Sequence, residues 1–96
     1  MHTPLQGKND VVEKYKQKIA AGEATEEHYN PIYAAMIEAL DQALAKVLSV
    51  LSESGQEENT LVIFVSDNGG IRGIFRQTPL RARKGSFYEG AVSAFR

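Results

Sequence analysis

Five consecutive apolar residues, Leu61-Val62-Ile63-Phe64-Val65, restrict the fold of this chain more than any other stretch. All but Leu61 are β-branched or aromatic, which suits a pleated, packed surface. A strand with one wet face alternates apolar and polar residues. Unbroken apolarity instead predicts a strand buried on both faces, as in a parallel α/β sheet. Such a strand requires neighbouring strands and a helical layer on either side. The chain has 96 residues, the size of one small domain, and a domain that small buries a modest share of its surface. Few of its other segments read as strands. The mismatch points to a piece of a larger α/β domain.

Two helices are predicted ahead of this run. Over residues 9 to 21, Val11, Val12, Tyr15 and Ile19 share one face, Asp10 and Glu13 have the spacing of a capping box, and Gly22 is a stop. Residues 23 to 29 are polar and read as loop. The second helix is the clearest element: Asn30-Pro31 supplies an N-cap followed by proline at the first helical position, where the missing N–H costs nothing. Tyr33, Met36, Ile37, Leu40, Leu44, Val47, Leu48 and Leu51 then recur at spacings of three and four, and Gly55 ends the pattern. A helix of about 20 residues is roughly 30 Å long, so this stripe needs a substantial surface to cover it. Residues 71 to 96 read as a Gly- and Arg-rich loop with one short strand near Ala91 to Phe95.

Composition narrows the function classes. Eleven Lys and Arg against twelve Asp and Glu leave a formal net charge of -1, which gives no overall electrostatic reason to expect a nucleic-acid partner. The absence of cysteine excludes disulfides, zinc–thiolate sites and thiol catalysis within these residues. No apolar run approaches the roughly 20 residues that span a bilayer, so no membrane partner is expected. Met1 to Gln6 lacks the basic and apolar regions of a signal peptide.

Chemistry gathers at two places. Asp67-Asn68 follows the apolar run directly, where the carboxyl ends of strands in open α/β sheets form ligand crevices. A carboxylate beside an amide oxygen offers two hard donors, suited to Ca²⁺ or Mg²⁺. Asp-Asn-Gly-Gly is equally a simple turn. Further on, Arg81, Arg83 and Lys84 precede Gly85-Ser86-Phe87-Tyr88-Glu89-Gly90. An ammonium next to glycine and serine can face a tetrahedral oxyanion, and the same residues also describe a solvated basic loop or a short nucleic-acid patch. His2 is a ligand or hydrogen-bond donor for an anion, or a disordered terminal residue. His28 reads as structural or solvated.

Taken in order, four segments resemble the later half of the catalytic domain of arylsulfatase-type sulfatases. They are His2-Thr3-Pro4-Leu5-Gln6, Asn30-Pro31 through Asp41, Asn59-Thr60 through Gly70, and Arg83-Lys84 through Gly90. The resemblance covers nearly the whole chain, as one partial domain over residues 1–96. It implies an α/β fold, a partial alkaline-phosphatase-like domain with helices packed on a mostly parallel sheet, followed by the Gly/Arg-rich active-site loop. It implies hydrolysis of sulfate esters, small molecules or sulfated glycans, with a bound divalent cation, usually calcium. By matched motif, Asp67 and Asn68 are implied as metal ligands. Lys84 is implied as a sulfate contact, and His2 as a group near the sulfate and the leaving oxygen. A histidine there can protonate the departing alkoxide. Family members are commonly exported, periplasmic or lysosomal.

The departures are as informative. Sulfatases make a formylglycine nucleophile within Cys/Ser-X-Pro-X-Arg. None of the three prolines, Pro4, Pro31 and Pro79, stands in such a motif. The aspartate pair that completes the family's cation site is also not in this stretch. After Gly90 the family continues with glycine, an apolar residue, arginine and an apolar-proline pair, whereas this chain has Ala91-Val92-Ser93-Ala94-Phe95-Arg96. Arg81-Ala82-Arg83 stands where small residues or glycine are common. The expectation is a sulfatase segment, inactive alone, that meets the rest of its domain or a second copy through apolar surface. A non-catalytic binding module of sulfatase origin and a phosphate or phosphonate ester hydrolase of the same superfamily are the alternatives.

Overall fold

The computed structural model describes residues 4–23, 30–71, 73–74 and 78–92. Its helices are α1 (Asn9–Ala20), α2 (Pro31–Glu53) and α3 (Glu89–Val92), with a 3₁₀ turn at Glu57–Asn59. The described residues divide into two units, residues 4–23 with 30–63, and residues 64–71 with 73–74 and 78–92.

Both long helices begin and end for local reasons. At the start of α2 the Asn30 side chain accepts a hydrogen bond from the Tyr33 N–H at 2.9 Å, and Pro31 opens the first turn, as the sequence predicts. At its end the Gly55 N–H bonds to the Ser52 carbonyl and the Gln56 N–H to the Leu51 carbonyl. Gly55 has φ 69, the left-handed conformation that closes this motif without a Cβ clash. Residues 18 to 23 repeat the same pair of bonds at the end of α1. The N-terminus of α1 differs from expectation. Lys8 occupies the N-cap position with no side-chain bond, and Asp10 lies inside the first turn, where its charge favours the positive end of the helix dipole.

The first unit is built on α1 packed against α2. Val11, Val12, Tyr15 and Ile19 are half-buried, as their spacing predicts, and Ala35 of α2 is buried at 3% exposure. Gly7 permits the approach just before α1, because a Cβ there would lie 2.9 Å from the Ala35 Cβ. Across the pair, the Lys14 ammonium meets the Glu38 carboxylate at 2.7 Å. That ion pair and the Tyr15 hydroxyl hold the Glu38 carboxyl below the usual carboxylate range. The 12 residues of α1 span about 18 Å and the 23 of α2 about 35 Å. One short helix therefore leaves much of the stripe uncovered, and Ile37, Leu40, Val47 and Leu48 are exposed.

The expected helix-on-sheet architecture is not what the chain forms. Among the described residues there are helices and turns and no strand. Leu61 to Val65 are all exposed, Leu61 at 83%. The physical reason is pairing: a strand is defined by its ladder with a neighbour, and no other described segment has the character to supply one. The strand expected near Ala91 to Phe95 is corrected as well. Ala91 and Val92 complete α3, and residues 93–96 lie outside the described residues.

Candidate functional site

Residues 66 to 70 form a compact turn. The Gly69 N–H donates to the Ser66 Oγ at 3.2 Å, and the Asn68 Nδ2 donates to the Asp67 Oδ2 at 2.8 Å. A serine hydroxyl that accepts from a backbone N–H a few residues on stabilises such turns locally. Asp67 is exposed, while Asn68, Gly69 and Gly70 are half-buried.

The basic loop is tied to this turn and to itself. The Lys84 N–H donates to the Gly70 carbonyl at 3.2 Å, so the lysine loop and the Asp67-Asn68 turn share a backbone bond. The Ser86 N–H reaches the Arg83 carbonyl at 3.1 Å and closes a turn around Lys84 and Gly85. The base of the loop is a clasp. The Arg81 N–H donates to Glu89 Oε1 at 2.8 Å, the Gly90 N–H donates to the Arg81 carbonyl at 2.9 Å, and the Arg81 guanidinium lies 3.8 Å from the Tyr88 ring centre. That separation is well within cation–π range. Gly90 is buried against the Arg81–Ala82 backbone: a Cβ there would sit 2.6 Å from the Arg81 carbonyl oxygen and closer still to that of Ala82.

The structure thus brings Asp67, Asn68 and Lys84 into one loop system. None of the ion pairs among the described residues involves Lys84 or Arg83. His2 and His28 lie outside the described residues. Sequence reasoning missed the clasp. Arg81 and Tyr88 are seven positions apart in a loop without periodicity, and the one local signal was the glycine at position 90.

The donor chemistry at Asp67 and Asn68 suits a hard cation in kind but not in number. Calcium takes six to eight oxygen ligands, and these two side chains offer one carboxylate and one amide oxygen. The amide also turns its nitrogen toward the carboxylate. No group of three or more His, Cys, Asp or Glu able to hold a metal occurs among the described residues. No helix of the described residues is long and apolar enough to cross a membrane.

The turn that carries Asp67 and Asn68 is thus bonded through its backbone to the loop that carries Lys84. The chain belongs to the sulfatase family, whose profile matches residues 1–93. It is 40% identical over 100 residues to a sulfatase of Formosa agariphila, covering 96% of this chain and 18% of that protein. To arylsulfatase J of Mus musculus it is 34% identical over 95 residues, covering 98% of this chain and 15% of the relative. An arylsulfatase of Klebsiella aerogenes matches 40% of this chain and 8% of its own length at 40% identity. The chain therefore spans less than a fifth of these curated relatives. No solved structure matches it significantly.

Proposed function

We propose that this chain is a segment of a sulfatase that hydrolyses sulfate esters, supplying one part of the cation site and one part of the sulfate pocket. The observation that carries this reading is the backbone bond between Lys84 and Gly70, which couples the two matched motifs within one loop system. Asp67 and Asn68 provide two hard oxygen donors for a divalent cation, calcium or magnesium, and the remaining donors come from outside these residues. Such a cation, when bound, offsets negative charge on the sulfate oxygens. Lys84 places its ammonium against a sulfate oxygen and stabilises the charge that develops during cleavage. His2 is assigned to the sulfate and the leaving oxygen, where an imidazole can hand over a proton.

The isolated chain is predicted to have negligible activity, since the Cys/Ser-X-Pro-X-Arg motif is not among its 96 residues. The test is an assay of the purified chain on 4-nitrophenyl sulfate with calcium. No turnover above the uncatalysed rate is expected. Turnover that Asp67→Ala abolishes would show a complete active site and overturn the prediction. Binding is the positive test: inorganic sulfate should perturb the Lys84 loop in NMR spectra, and Lys84→Ala should remove the effect.

A further inference from the structure

We propose that Asn68 is a site of spontaneous covalent modification, where the chain converts its own amide to a carboxylate at a rate held down by Ser66. Asparagine occurs at positions 9, 30, 59 and 68, and glycine follows only Asn68. The backbone nitrogen after an asparagine can attack the side-chain amide, because a short covalent ring closes between them. The other three sites oppose that step. Pro31 follows Asn30, and its nitrogen carries no hydrogen to lose. Asn9 is the first residue of α1, and helical dihedrals must be given up before the ring can close. Asn59 ends a 3₁₀ turn and is followed by the β-branched Thr60, whose side chain crowds its own backbone. Gly69 has no Cβ beside its nitrogen. Its turn is also open to water, since Ser66 and Asp67 are exposed and Asn68 is half-buried.

Two hydrogen bonds hold the reacting groups in check. The Gly69 N–H donates to the Ser66 Oγ at 3.2 Å, and that hydrogen must leave before the nitrogen can attack. The Asn68 Nδ2 donates to the Asp67 Oδ2 at 2.8 Å, a bond that is lost as the nitrogen departs. Both bonds are exposed, so water competes for them and each opens locally. In the reaction the Gly69 nitrogen bonds to the Asn68 Cγ and the Cγ–Nδ2 bond breaks. The Gly69 hydrogen leaves with Nδ2 as ammonia. Water then opens the resulting succinimide at either carbonyl, leaving aspartate or isoaspartate at that position. The net change exchanges an amino group for a hydroxyl, with no oxidant or reductant. It adds a negative charge to a chain of formal net charge -1 and sets a second carboxylate against Asp67, where the amide had donated. The modification stands on the turn alone. On the reading proposed above, it also replaces the amide donor of the cation site with a carboxylate.

The experiment incubates the full chain at mildly alkaline pH and follows it by peptide mapping with mass spectrometry, and by ion exchange for the added charge. The amide-to-acid mass gain should appear at position 68, with an isoaspartate form among the products, while Asn9, Asn30 and Asn59 keep their amides. Ser66→Ala should speed the conversion about two- to tenfold, the worth of one hydrogen bond. Ser66→Thr keeps a hydroxyl and should keep the wild-type rate, which separates the bond to Gly69 from a general loosening of the turn. Asn68→Gln should leave the position unchanged over the same time, because the longer side chain must close a larger ring. If position 68 gains no mass even in Ser66→Ala, or gains it no faster than positions 9, 30 and 59, the proposal is overturned. Equal rates in the wild-type chain, Ser66→Ala and Ser66→Thr overturn the control by Ser66.

Discussion

Gly90 occupies a place where a methyl group has no room. A Cβ there would press on the carbonyl oxygens of Arg81 and Ala82, and both are backbone, so the loop must open to admit it. Overpacking of this kind costs about 1–3 kcal/mol. Gly90→Ala should therefore speed hydrogen exchange at the amide of residue 90, which bonds to the Arg81 carbonyl in the clasp, while the amides of α2 keep their rates. Ala82 is the converse case. It holds φ 63, a conformation that costs an L-residue roughly 1–2 kcal/mol. Glycine removes that strain and adds chain entropy of its own, about 0.5–1 kcal/mol. The balance favours glycine slightly, so Ala82→Gly should slow exchange of the Gly90 amide by about two- to fivefold. Equal or faster exchange would show that the clasp does not hold Ala82 in its strained form. The clasp also explains what the sequence left unread at the site. Asp67, Asn68 and Lys84 stand in recognisable local motifs, but the Arg81–Tyr88 contact depends on where a loop returns.

At the scale of elements, the two helices were legible because their signals are local. Asn30-Pro31 and Gly55 act through neighbours three or four residues away, and the apolar spacing of residues 11 to 19 found the half-buried face of α1. Asn30→Ala removes the side-chain bond to the Tyr33 N–H and should cost about 1 kcal/mol, read as reduced far-UV helical signal and a lower midpoint in urea. The tie between the helices sets their response to pH. The hydrogen bonds from Lys14 and Tyr15 depress the Glu38 carboxyl. A depressed acid stabilises above its unfolded pKa and loses that contribution as pH falls through the folded value. Lys14 is raised by the same bond, so its contribution is present below its unfolded pKa and is lost as pH rises through the folded one. Tyr15, also raised by Glu38, acts in the same sense at the alkaline end. Helix pairing should thus be greatest on a plateau between the carboxylate and lysine ranges and decline on both sides. Glu38→Gln should lower the plateau and flatten the acid limb, as followed by circular dichroism across pH.

On the scale of the whole molecule, the apolar run at residues 61–65 decides behaviour in solution. Its character was legible and its pairing was not, because a sheet is a long-range arrangement and sequence pattern describes one strand at a time. With no partner among the described residues, Leu61, Ile63 and Phe64 are exposed, and so are Val47, Val50 and Leu48 along α2. Unpaired apolar stretches with high β-propensity and no charge are templates for association. No charged residue lies between Asn59 and Ser66, so nothing in the run repels a second copy. The chain should therefore self-associate as its concentration rises. Burying about 100 Å² of apolar side chain contributes on the order of 2.5 kcal/mol, and a lysine at Ile63 forfeits that and adds repulsion. Ile63→Lys should shift the onset of association, measured by sedimentation velocity, to a concentration at least about tenfold higher. Because Ile63 is itself exposed, the same substitution should leave the helical signal of α2 unchanged. If Ile63→Lys associates at the wild-type concentration, the contact lies elsewhere, and Val47→Lys on the uncovered face of α2 then becomes the variant that should disperse the chain.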